Sequence, residues 1–166
     1  YRFLKELRKD GLHVVESRYR FVAGKLKQLP DFEANVMGHL AYSKLLSALR
    51  AYRVVLISED SLSSRLSLGR KAMEAAACGA SVVYKGDINP LLPEGVVEYA
   101  QTGSDAVASC RVHLKQWDLH AARNLAVRRN LFSGHTYAHR VQTICRALGL
   151  KSDWEEYPLV TVITPT

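Results

Sequence analysis

Residues Val54–Tyr84 read VVLISEDSLSSRLSLGRKAMEAAACGASVVY. The segment opens on Val54–Ile57 and closes on Ser81–Tyr84, two short runs that are apolar without alternation. Such runs suit strands covered on both faces, as in a parallel sheet. Between them, a polar loop over Ser58–Ser64 leads into a helix expected from about Gly69 to Cys78. Ser67 is its expected N-cap and Gly79 its glycine just past the end. Strand, helix and strand in this order make a right-handed crossover unit.

The alternation continues outward. Arg2–Lys9 reads as a basic helix stopped near Asp10-Gly11, Leu12–Val15 as a strand, and Phe32–Met37 as a second strand after the Pro30-Asp31 turn. Tyr42, Leu45, Leu46 and Leu49 fall at i, i+3, i+4 and i+7 and predict a helix with one apolar face. Downstream, Lys85-Gly86-Asp87 is a turn, Asn89–Gly95 with its two prolines a loop, and Val96–Tyr99 a short strand. From Ser104 the chain reads as helical. Asp118 is expected to cap a helix that turns Leu119, Ala122, Leu125 and Ala126 inward. Ser133 is expected to cap a last helix with Tyr137, Val141, Ile144 and Leu148 inward, ended by Gly149. The fold class is α/β, a doubly wound parallel sheet over residues 1–150 that ends in C-terminal helices. Lys151–Tyr157 reads as a polar linker, and Pro158–Thr166 as the opening of a further strand.

The 166 residues are 48% hydrophobic and 23% charged, globular proportions that exclude a disordered tail, collagen or a coiled coil. No apolar run reaches the roughly 20 residues of a membrane helix. The chain begins at Tyr1 rather than Met, so it is expected to be a piece of a longer protein. Cys78, Cys110 and Cys145 all lie among apolar residues and are expected to be buried, reduced thiols, which suits the cytoplasm. The net charge of +7 favours an anionic partner: nucleic acid, anionic lipid or a phosphorylated metabolite.

Ligands of open α/β sheets bind beyond the carboxyl ends of the strands. That rule nominates the Gly38-His39 loop, the Ser58–Ser64 loop with Ser61, and Lys85–Asp87. It also nominates the helix start at Gly69-Arg70, where free N–H groups and the positive dipole end suit a phosphate. Gly69 lets the anion approach, and Arg70 or Lys71 adds a cation. Glu74 either pairs with Arg70 on the helix surface or accepts hydrogen bonds from the vicinal hydroxyls of a sugar. His135 and His139, at i and i+4, have a zinc-like spacing but no third ligand in pattern, so no metal is expected. Glu59-Asp60 reads as a solvated loop. Cys78, at a helix C-terminus, sits where the dipole raises a thiol pKa and so is not read as a nucleophile. Arg123, Arg128, Arg129, Arg140, Arg146 and Lys151 make the C-terminal helices basic, yet no nucleic-acid-binding motif accompanies them. A basic surface of this kind also suits the anionic inner face of a membrane.

The string Arg70-Lys-Ala-Met-Glu74-Ala-Ala-Ala-Cys78-Gly79-Ala-Ser-Val-Val resembles the E-A-x-A-C-G-x-P-V-V signature of group 1 glycosyltransferases. It is most similar to their spore-maturation-type branch, where an Arg stands four residues before the Glu. Gly38-His39-Leu40-x-Tyr42-x-x-Leu45-Leu46, followed by Tyr52–Ser58, resembles an upstream segment of that family, and His135-Thr136-Tyr137-x-x-Arg140 a downstream one. The resemblance covers Phe32 to Gly149 and implies the Rossmann-like C-terminal half of a two-domain enzyme, the half that binds the nucleoside-diphosphate sugar. It implies Glu74 on ribose or sugar hydroxyls, the Gly69-Arg70 helix start on the diphosphate, and Gly38-His39 near the base. It also implies no cofactor or catalytic metal, a glycan or lipid-linked acceptor, and an N-terminal acceptor domain without which this chain is inactive. Many members carry a second Glu eight residues before the first; here that position is Leu66. Pro158–Thr166 resembles the first strand of a family 2 glycosyltransferase, which implies a second transferase domain. The alternative is a non-catalytic nucleotide- or nucleic-acid-binding domain of the same fold.

Overall fold

The structure, a computed structural model, describes residues 4–15, 36–38, 40–58 and 64–151. The expectations placed on His39, Glu59, Asp60, Ser61 and the strand at Pro158–Thr166 lie outside those residues, as does most of the strand expected at Phe32–Met37.

A short helix α1 (Leu4–Leu7), a 3-10 turn (Arg8–Asp10), β1 (Val14–Val15) and β2 (Val36–Gly38) come first. They are followed by α2 (Tyr42–Ala51), β3 (Val54–Ser58), α3 (Arg65–Ala77), β4 (Ser81–Lys85) and β5 (Glu98–Ala100), then α4 (Gly103–Lys115), α5 (Trp117–Gly134) and α6 (Tyr137–Ala147). β1 and β2 pair in parallel. β3, β4 and β5 form a parallel sheet with β4 in the centre, Val54 opposite Ser81 and Val83 opposite Glu98. Alternate residues of the two long strands feed opposite faces, as a pleated strand requires. Ile57, Val82 and Tyr84 pack on Leu68, Ala72, Ala75 and Ala76 of α3 and Leu131 of α5. Val54, Leu56 and Val83 pack on Ala106, Val107 and Cys110 of α4 and Leu7 of α1. Helices therefore cover both faces, and the doubly wound α/β fold expected from the sequence is the fold observed. The alanines of α3 let that helix lie close to the strands, and each fully buried valine such as Val83 contributes about 1.5–3 kcal/mol.

Helix boundaries differ from expectation in three places. α3 begins at Arg65, capped by Ser64, whose Oγ accepts from Ser67 N at 3.2 Å. Both serines can cap, and the earlier one adds a turn, so Gly69 lies inside the helix. A glycine there costs about 1 kcal/mol against alanine; its use here is close approach, since a Cβ at Gly69 would stand 3.3 Å from Asn89 Nδ2. α5 begins at Trp117 rather than under an Asp118 cap. α6 is capped by Thr136, whereas Ser133 sits in the last turn of α5 and donates to Asn130 O. α4 carries the cleanest signal, a capping box between Thr102 and Asp105.

The expected inward faces of the last two helices are also corrected. Leu119 and Leu125 are exposed, and α5 turns Trp117, Ala121, Asn124, Val127 and Leu131 inward instead. Tyr137, Val141, Ile144 and Leu148 are exposed as well. The 3.6-residue period of these apolar stripes is real, but a period does not name the partner that covers them. Of the cysteines, all free, only Cys110 is buried, which pushes its thiol up to about 12; Cys78 and Cys145 are half-buried.

Candidate functional site

Glu74 sits on the outer side of α3, opposite the alanines that face the sheet. Its side chain is recessed, 15% exposed. α2 packs along α3, and Cys78 Sγ donates to Leu46 O at 3.7 Å. This packing brings Tyr42, the first residue of α2, onto Glu74: Tyr42 Oη donates to Glu74 Oε1 at 2.8 Å. One helical turn before Glu74, Arg70 Nε lies 3.7 Å from the same Oε1. The hydrogen bond to Glu74, then burial and the carboxylate charge, raise the Tyr42 hydroxyl above its ordinary range. Tyr137, at the start of α6, is near enough for its charge to oppose ionisation of Tyr42. Two segments far apart in the chain therefore meet here, the start of α2 and the middle of α3, with Tyr137 of α6 near enough to be felt electrostatically.

Of the other residues nominated from the sequence, Arg70 lies half-exposed beside Glu74, and Lys71 is exposed on α3. Gly38 is the last residue of β2, at the strand's carboxyl end. Gly69 departs from its expected role. Being inside the helix, it offers no free N–H group of a helix start, and it packs against Asn89 and Leu92. The true start of α3 is Ser64-Arg65, where Arg65 pairs with Asp87 at 3.2 Å. Buried Asn89 anchors the loop after β4 to this turn: its Nδ2 donates to Arg65 O at 2.9 Å and its Oδ1 accepts from Leu91 N at 3.1 Å. Leu66, at the place of the second family Glu, is exposed in the first turn. His39 and Ser61 lie outside the described residues.

The sequence reading missed the hydroxyl of Tyr42, which it counted as an apolar helix-face residue. The available signal was its place in Gly38-His39-Leu40-x-Tyr42.

A second polar cluster lies at the amino ends of β4 and β5. Glu98 Oε1 accepts from Ser109 Oγ, and Glu98 Oε2 meets His113 Nε2 at 2.9 Å and Arg123 Nη1 at 3.8 Å. Burial opposes the charge of Glu98, but the hydrogen bonds from Ser109 and His113 outweigh it and hold the carboxyl below its ordinary range. His113 is 2% exposed, and burial holds its imidazole below the usual histidine range against the pull of Glu98. The His120 ring lies against it, tilted by 58° with 4.1 Å between ring centroids. Beside them, Asn124 bonds Ser81 Oγ and donates to Gly79 O at 3.3 Å. This cluster joins β5, α4 and α5 at the end of the sheet opposite the one where ligands of such folds bind. His135 and His139 make no metal set: His139 Nδ1 bonds Thr136 Oγ1 at 2.7 Å, and the described residues hold no group of three His, Cys, Asp or Glu fit for a metal ion. No described helix is long and apolar enough to cross a membrane.

Comparison with curated proteins and with solved structures returns no match. The family model described as glycosyl transferase-like matches residues 2–146, nearly the whole chain, including Tyr42, Arg70 and Glu74. The chain belongs to this glycosyl transferase-like family and is a transferase, with a sugar donor and an acceptor as its substrates.

Proposed function

We propose that this chain is the donor-binding half of a two-domain group 1 glycosyltransferase, closest in its motifs to the spore-maturation-type branch. In this reading it takes a nucleoside-diphosphate sugar and supports transfer of the sugar to a hydroxyl of a glycan or lipid-linked acceptor. The observation that carries it is the convergence on Glu74. A recessed carboxylate with one half-exposed cation and one exposed tyrosine on it suits a polyhydroxyl ligand that also bears negative charge.

Glu74 accepts from a ribose or sugar hydroxyl. Arg70 and Lys71 supply positive charge toward the diphosphate. Gly38-His39 and Ser61 complete the donor site from the loops after β2 and β3. As the glycosidic bond breaks, negative charge grows on the leaving diphosphate, and fixed cations and amides lower the barrier by meeting it. No metal or cofactor is part of this reading, and a general base comes from the acceptor half of the enzyme. Residues 1–150 form the donor domain, and 151–166 lead toward a family 2 transferase domain. From Leu119 to Lys151 the chain carries six Lys or Arg (Arg123, Arg128, Arg129, Arg140, Arg146 and Lys151) and no Asp or Glu. That surface suits the anionic inner face of a membrane, where a lipid-linked acceptor would lie.

Calorimetric titration of the chain with UDP, GDP, ADP and dTDP tests the reading. One base is expected to bind saturably, and Glu74→Ala to weaken it at least roughly tenfold, the scale for losing hydrogen bonds to a charged group. Unchanged affinity in Glu74→Ala would refute the assignment.

A further inference from the structure

The two groups that touch Glu74 touch the same atom. Tyr42 Oη donates to Oε1 at 2.8 Å, and Arg70 Nε approaches Oε1 at 3.7 Å. Among the described residues nothing bonds Oε2, and Oε2 is not one of the buried atoms lacking a partner, so it reaches solvent. The last torsion of a glutamate side chain is broad and roughly two-fold, so an unheld carboxylate exchanges its oxygens freely. A hydrogen bond from a neutral donor to a carboxylate is short and directional, and it removes that freedom.

Tyr42 is poorly placed to serve packing. It is 54% exposed, whereas Leu45, Leu46 and Leu49 on the same face of α2 are half-buried. Its best contact is the hydroxyl on Glu74, across 32 residues of sequence. The raised ionisation range of the phenol keeps that hydroxyl a donor beyond neutral pH.

We propose that Tyr42 is a positioning residue: its hydroxyl holds Oε1 of Glu74 so that Oε2 is presented to a hydroxyl of the bound donor. The inference rests on the donor-site reading above and goes beyond it, because it assigns the two carboxylate oxygens different tasks. One oxygen is committed to the protein and one to the ligand. A vicinal diol would then chelate the single oxygen Oε2 rather than bridge the two.

The test is a double-mutant cycle on the full chain, read by calorimetric titration with UDP, GDP, ADP and dTDP and by thermal unfolding. Glu74→Gln is expected to weaken the bound nucleotide at least roughly tenfold, and Tyr42→Phe roughly three- to tenfold, with the unfolding midpoint of Tyr42→Phe within about 2 °C of the parent. In a Glu74→Ala background, Tyr42→Phe is expected to cost less than about twofold further, because no acceptor is left for the hydroxyl to orient. Parent affinity in Tyr42→Phe, with binding lost in Glu74→Gln, would overturn the positioning role and leave the donor reading standing. The same loss on Tyr42→Phe in both backgrounds would also overturn it, since a packing role does not depend on the carboxylate. Parent affinity in Glu74→Gln, or no binding by the parent chain, would overturn the donor reading and this inference with it.

Discussion

Glu74 and Glu98 are both glutamates held by neighbours on separate elements, and they differ in what their partners leave over. Glu98 has both oxygens engaged, Oε1 by Ser109 and Oε2 by His113 and Arg123. Glu74 has both of its partners on Oε1. Exposure alone would rank them the wrong way: the Glu98 side chain is 37% exposed and that of Glu74 only 15%. The number of acceptor positions still open separates them better. A carboxylate whose oxygens are both engaged joins elements of the fold, and one with an oxygen held open is equipped to meet a ligand.

The largest effect that would test this comparison is on stability. Glu98→Ala strips the acceptor from Ser109, buried His113 and Arg123, and is expected to cost roughly 2–3 kcal/mol. Glu74→Ala loses only partners that are themselves half-exposed, and is expected to cost less than about 1 kcal/mol. Urea midpoints at unchanged slope would show the difference. Equal losses at the two positions would break the comparison.

A smaller effect sharpens it. Burial holds the His113 imidazole below its ordinary range, so its folded pKa lies below the unfolded value of roughly 6.5. Above that pH both states are neutral and the contribution is constant. As pH falls below it, the unfolded chain binds a proton that the folded chain resists, and stability declines until the folded value is passed. Glu98, held below its ordinary range, adds its own loss at lower pH. His113→Gln can still bond Glu98 and should flatten the decline that begins near pH 6.5. Parallel unfolding midpoints for the parent and His113→Gln between about pH 8 and pH 5 would contradict this.

Much of the sheet was legible in the sequence, because strands covered on both faces leave continuous apolar runs. Val54–Ile57 and Ser81–Tyr84 are such runs. Helix faces were harder. Tyr137, Val141, Ile144 and Leu148 lie on one side of α6, but within this chain that side meets solvent. On α5 the inward face includes Asn124, satisfied by Ser81 and Gly79, and a polar residue at a buried position is invisible to a hydrophobic period. The start of α3 was ambiguous because Ser64 and Ser67 are both competent caps. The later cap would put Gly69 at the helix start; the observed cap puts it inside the helix, beside Asn89 and Leu92. Glu74 was nominated through its motif. Its tyrosine partner was not, because a contact between residues 32 apart depends on how two helices pack, which no local pattern encodes.

The most direct test of the account is to map nucleotide binding residue by residue, by following backbone and side-chain chemical shifts during titration with UDP, GDP, ADP and dTDP. The account predicts that one nucleotide perturbs Tyr42, Arg70, Glu74 and Tyr137 together and leaves Glu98, Ser109, His113 and Arg123 unmoved. Perturbations centred on the Glu98 cluster, with Glu74 and Tyr42 silent, would contradict it.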